Sequence, residues 1–139
     1  MGPRSQHISV RIELPASEVY EFVADPVNLP EWAAGLAGAQ IEYDGEHWFT
    51  ESPMGRVRFW FVPENELGVL DHHVTLPSGE TVYNPLRVIQ DGDGSEVVFT
   101  LRQRIGMSDE AFQSDAATVA RDLATLKARL EGREAECDH

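Results

Sequence analysis

The stretch LDHHVTLPSGETVYNPLRVIQDGDGSEVVFTL, Leu70 to Leu101, holds two turn signals whose registers check each other. Pro77-Ser78-Gly79 fits a three-residue hairpin loop, with proline at position i+1 of a type I turn and glycine in the left-handed position that makes a bulge. This loop sets Leu76 opposite Glu80, hence Val74 opposite Val82, His72 opposite Asn84 and Leu70 opposite Leu86. Asp91-Gly92-Asp93-Gly94 closes the next hairpin. A four-residue loop there pairs Gln90 with Ser95, Val88 with Val97, Leu86 with Phe99 and Asn84 with Leu101. Both turns pick out one face: Leu70, His72, Val74, Leu76, Val82, Asn84, Leu86 and Val88. It is apolar except for a histidine and an asparagine directly across from each other.

Upstream, the strand pattern continues from Ala39. Asp44-Gly45 is a type I′ hairpin signal. It pairs Tyr43 with Glu46 and places Ile41 opposite Trp48. The turn Ser52–Arg56 has two registers. A two-residue loop puts Val57, Phe59 and Phe61 on the face of Trp48; a three-residue loop puts Trp60 there. The first is favoured because it buries the more continuous apolar set. Before these strands, His7–Leu14 alternates Ile8, Val10, Ile12 and Leu14 with polar residues, as a half-buried strand does. Pro15 opens a helix carrying Val19, Phe22 and Val23, which Asp25-Pro26 ends. A second short helix is expected from Asn28, with Glu31 as its capping-box partner and Trp32 within it, stopping near Gly35 or Gly38.

Downstream, Ser108 caps a long helix whose first turn carries Asp109 and Glu110. Met107 and Phe112 are placed as a hydrophobic staple. Phe112, Ala116, Val119, Leu123, Leu126 and Leu130 form one apolar stripe. Residues 1–4 and 132–139 read as loose ends of a single domain. The order is one strand, two short helices, six strands in meander and a long helix: an α+β fold. A lone helix is about 10 Å across, too narrow to cover a curled sheet of seven strands. The short helices, bulky side chains or a ligand must fill the remaining space.

Ile12-Glu13-Leu14-Pro15-Ala16-Ser17-Glu18-Val19-Tyr20-Glu21-Phe22-Val23, followed by Asn28-Leu29-Pro30-Glu31-Trp32, resembles the opening of the START-like, or polyketide-cyclase-like, superfamily. These are the helix-grip proteins, related in fold to the birch-pollen allergen. The resemblance implies a curved seven-stranded antiparallel sheet gripping the C-terminal helix around a hydrophobic cavity. It also implies a small hydrophobic ligand, such as a lipid, a polyketide or another aromatic metabolite. Some members catalyse aldol cyclisation or dehydration. The superfamily has no single catalytic motif, so no catalytic residue carries over, and fold alone does not choose a function.

Composition narrows the partners. The chain has 139 residues, 42% of them hydrophobic, and a formal charge of −13, which repels nucleic acid and anionic membranes. Cys137 is the single cysteine, so no internal disulfide forms. Residues 1–6 carry no signal peptide, and Gln6 breaks the myristoylation pattern. No run reaches the ~18 apolar residues of a membrane span. A cytoplasmic protein without membrane insertion is expected. No nucleotide-binding, Ser-hydrolase or zinc-protease motif occurs, and neither cofactor nor metal is expected.

Six residues are expected to contact ligand: Trp32, Trp48, Phe59, His72, Asn84 and Phe99. His72, on an apolar face, is the sole catalytic candidate, as a general acid or base. Its structural alternative is a core histidine bonded to Asn84. Asp71 and His73 point to the face opposite His72, the solvated one. Arg58, Arg87, Arg102 and Arg104 share that outer face in surface ion pairs. An exposed Trp60 there would mark a homodimer contact. Three readings follow: a carrier or sensor of a hydrophobic molecule; a cyclase or dehydratase in which His72 moves a proton beside a carbonyl held by Asn84; and a dimeric interaction module with a filled cavity.

Overall fold

The computed structural model describes residues 4–33, 39–52 and 55–137. The elements are β1 (Ser5–Ile12), α1 (Ala16–Ala24), a 3-10 helix (Pro26–Glu31), β2 (Glu42–Tyr43), β3 (Trp48–Ser52), β4 (Gly55–Phe61), β5 (His72–Thr75), β6 (Thr81–Asn84), β7 (Leu86–Asp91), β8 (Gly94–Arg102) and α2 (Asp109–Cys137). The fold is α+β: a curved antiparallel sheet gripping a long C-terminal helix.

Two hydrogen-bonded sets make the sheet, β1-β8-β7 and β2-β3-β4-β5-β6. The expected sixth strand is split into β6 and β7 at Pro85. Proline has no N–H to give a ladder, so the strand leaves one set there and joins the other. The Val69–Arg87 bridge and the Leu70 N–H, which donates to the Leu86 carbonyl over 2.8 Å, connect the two sets. The registers of the decisive stretch are those expected: His72 lies opposite Asn84 and Val74 opposite Val82. Leu86 lies opposite Phe99 and Val88 opposite Val97. Trp48 faces Phe59 and Ser52 faces Gly55, the two-residue alternative at that turn. Asn84, expected against Leu101, falls where the ladder breaks; the Thr100 N–H instead donates to the Pro85 carbonyl over 3.0 Å.

Two turns and the second short helix differ in detail. Tyr43 pairs with Trp48, not Glu46. The Asp44 carboxylate accepts from the N–H groups of Glu46 and His47 at 2.8 and 2.7 Å, which draws Asp44 into a flanking position and leaves Gly45-Glu46 as the loop. The slide is two residues, so every side chain keeps its face. Asp91 pairs with Gly94, so the last hairpin has a two-residue loop in an unchanged register, with Gly92 at φ 62°. The second short helix is 3-10 and starts at Pro26. Asp25 caps it through the Val27 N–H at 3.1 Å, since prolines at 26 and 30 withhold the N–H groups an α-helix needs. Asn28 donates to the Phe22 carbonyl instead of capping. The expected stop at Gly35 or Gly38 lies outside the described residues.

Helix α2 begins as expected, with Ser108 Oγ accepting from the Ala111 N–H at 3.1 Å. It continues through Gly132 to Cys137, where a loose end was expected; Gly132 costs a helix interior only about 1 kcal/mol. Arg4 is also tied down, by its carbonyl to the Gln103 N–H and by an ion pair with Asp109. Leu123, Leu126 and Leu130 of the stripe pack with Ile12, Val19, Phe22, Val23, Trp32, Leu86 and Val97 in one core. Polar clamps hold the grip. Lys127 Nζ donates to the Arg11 carbonyl and pairs with Glu131, which accepts from the Glu13 N–H. Glu31 pairs with Arg129 rather than capping its own helix. Among the described residues no helix is long and apolar enough to cross a membrane.

Candidate functional site

The inner face of the sheet leaves two neighbouring spaces. A chamber of about 80 Å³ is lined by Leu29, Trp32, Val57, Phe59, Phe61, His72 and Val74. A groove of about 440 Å³ runs between the β5–β6 hairpin, β8 and α2. Its walls include Val74, Leu76, Val82, Asn84, Phe99, Leu101 and Val119, and its rim includes Glu80, Arg102, Arg104 and Asp115. Val74 lines both. Strand alternation explains the lining: residues 57, 59 and 61 of β4 and 72 and 74 of β5 point to one side.

Trp32, Phe59 and His72 therefore meet in the chamber, and Asn84 and Phe99 in the groove. Trp48 stands apart from both spaces. Its ring packs on Tyr43 at 5.0 Å, two strands from His72. Val74, on the apolar face read from the sequence, lines both spaces. Phe61 and Leu29 are lining residues that sequence reasoning missed; Phe61 carries the same alternation as Phe59, whereas nothing in the sequence marks Leu29. Val119 of the helical stripe is half-buried where its neighbours Ala116 and Leu123 are buried, because it faces the groove.

His72 is half-buried, with the ring of Phe61 at 5.3 Å and that of Phe99 at 6.2 Å. Its Nδ1 lies 3.1 Å from the Leu70 carbonyl oxygen. No hydrogen bond joins it to Asn84, although the two are opposite in register. Burial pushes the imidazole pKa down. In the chamber wall the Trp32 indole N–H is buried without a partner.

The outer face departs from the expected solvated surface. Asp71 is 2% exposed. Its carboxylate accepts from Arg87 Nε at 2.9 Å and Nη2 at 2.8 Å, from the Leu86 N–H at 2.9 Å and from the Tyr83 hydroxyl. These bonds, those of Arg87 foremost, hold the Asp71 carboxyl well below the usual range. His73 stacks on Trp60 at 4.9 Å, and His47 covers that indole from the other side at 4.6 Å. Trp60 is thus on the outer face but only half exposed. Arg87 and Arg104 make the expected kind of ion pair, the second with Glu80 at 2.8 Å. Arg102, the last residue of β8, and Arg104 line the groove rim.

No protein-family model matches the sequence, and no curated protein matches it. Solved structures do. CalU16 from Micromonospora echinospora aligns at a TM-score of 0.67 and 16% identity, over 94% of this chain and 76% of that one. The di-domain ARO/CYC BexL from the BE-7585A biosynthetic pathway aligns at 0.70 and 16% identity, over 92% of this chain and 46% of BexL. Ara h 8.0201 aligns at 0.69 and 12% identity, over 94% and 99%. At such identities the likeness is one of fold alone: the chain shares the helix-grip architecture of these three structures.

Proposed function

We propose that this protein binds one small, apolar, ring-bearing molecule between the concave face of its sheet and helix α2. The observation that carries the reading is the pair of apolar spaces that share Val74 as a lining residue and are walled by Trp32, Phe59, Phe61 and Phe99. A mostly apolar concavity with few polar groups is what small-molecule sites look like. His72 and Asn84 supply those groups. Binding is favoured over catalysis because Nδ1 of His72 is bonded to a backbone carbonyl, and burial outweighs the pull of the Asp71 carboxylate on the imidazolium that a general base becomes. The description of BexL as an ARO/CYC protein of a biosynthetic pathway supports an aromatic ligand.

Native mass spectrometry of the purified protein, followed by mass spectrometry of a solvent extract, tests this. One apolar molecule per chain is expected. In Val74→Trp the added indole takes up space at a residue that lines both cavities, so the adduct should vanish while the circular dichroism spectrum is kept. A Val74→Trp protein that still carries the adduct at full stoichiometry would overturn the reading.

A further inference from the structure

If an apolar ligand does enter the chamber as proposed above, His72 sets a condition on its chemistry. The Leu70 carbonyl oxygen, 3.1 Å from Nδ1, can only accept. The proton of that bond therefore sits on Nδ1, and neutral imidazole leaves Nε2 with a bare lone pair. Burial keeps the ring in this neutral form near pH 7. Among the described residues none donates to Nε2. The rest of the chamber wall is Leu29, Trp32, Val57, Phe59, Phe61 and Val74. Among the described residues it contains no side-chain hydroxyl, amide or carboxylate. Its other polar group among the described residues is the Trp32 indole N–H, a donor buried without a partner, which cannot turn His72 into a donor instead.

A ligand carbonyl would face His72 acceptor to acceptor. An ionised carboxylate would lose its hydration with no cation among the described residues of the chamber to replace it. A hydroxyl on a flat ring offers the missing donor and lies against the aromatic wall. We propose that His72 is a specificity-determining residue that selects neutral aromatic ligands bearing a phenolic or enolic hydroxyl, whose O–H donates to Nε2. This differs from a polar contact of any kind: an oxygen without a hydrogen should gain nothing from His72.

Equilibrium dialysis of the full chain against three probes decides it: 2-naphthol, 2-methoxynaphthalene and naphthalene. One hydrogen bond made against an otherwise unpaired acceptor corresponds to about a tenfold gain in affinity. So 2-naphthol should bind about tenfold more tightly than the other two, and His72→Phe should bring that ratio to about one. Equal affinities for 2-naphthol and naphthalene would overturn the role of His72 while leaving apolar ligand binding standing. A methoxy compound as tight as the naphthol would overturn it too, pointing to Trp32 as the group that recognises the oxygen. Binding of none of the three would count against both this inference and the function it rests on. Should His72→Phe fail to fold, nitrogen NMR of the wild type serves: the His72 Nε2 resonance should move with 2-naphthol and stay with naphthalene, and an unmoved resonance in the naphthol complex would overturn the proposal.

Discussion

Replacing Asp71 should be the most costly single change on the outer face. The carboxylate is 2% exposed and holds Arg87, Tyr83 and the Leu86 N–H together. In Asp71→Ala the Leu86 amide, on a residue that is 0% exposed, loses its acceptor, at about 1–3 kcal/mol. Arg87 loses a two-point bond, but its side chain is 50% exposed and can be rehydrated, which puts the total near the low end of the range for a broken buried pair, about 3 kcal/mol. Asp71→Asn keeps an acceptor for Leu86 and should cost about half as much. Urea denaturation at pH 7 reads both. The pH dependence gives an independent check. Because Arg87 above all depresses the folded pKa, the folded carboxylate stays ionised after the unfolded chain protonates near ~3.9. The stabilisation is therefore complete above that value and is lost as pH falls through the lower folded one. The gap between wild type and Asp71→Asn should hold from pH 7 down to about 4 and narrow below. A gap under about 0.5 kcal/mol at pH 7, the scale of ordinary surface changes, or one constant into strong acid, would refute the reasoning.

Gly68→Ala should lower the denaturation midpoint sharply, by the equivalent of about 2 kcal/mol or more. Gly68 has φ +76°, and an added Cβ would sit 2.2 Å from the Val88 carbonyl oxygen. Gly92→Ala, at φ +62° with nothing within 4 Å, should cost only about 1 kcal/mol in the same melt. Ser108→Ala removes the cap on Ala111 and should cost about 1 kcal/mol, with fraying at the start of α2 visible in amide exchange. His72 is depressed by burial, so the unfolded chain takes up its proton first. Wild type should therefore lose stability as pH falls below ~6.5, and His72→Phe should lose less over the same interval in a denaturant series.

The inner face was legible because turns set registers and registers set faces. Pro77-Ser78-Gly79 alone places His72 across from Asn84. The chemistry of that pair was not legible. Two residues opposite in a ladder need not bond, and the preference of His72 for the Leu70 carbonyl depends on a ring rotation that spacing does not encode. The burial of Asp71 was hidden for a related reason. Alternation places it outward correctly, but its coverage comes from Tyr83 and Arg87 on the neighbouring strand. Asp44-Gly45 misled because the Asp44 side chain competes for the amides of the loop. The separation of α2 from the sheet, on which any cavity depends, is set by side-chain packing across the whole core and has no local signal.

The pairing of β1 with β8 bears on how this molecule is made. The first strand joins the sheet by its ladder to β8, from Ser5 against Arg102 to Ile12 against Ser95. As the chain leaves the ribosome, β1 must wait for nearly all the other strands before it has a neighbour. The leucines of α2 emerge later still. Synthesis and assembly thus run in opposite orders, and closure of very long loops is paid before the contacts that reward it. The concave surface stays bare longest, so the face that becomes the pocket is also the one a chaperone would meet on the nascent chain.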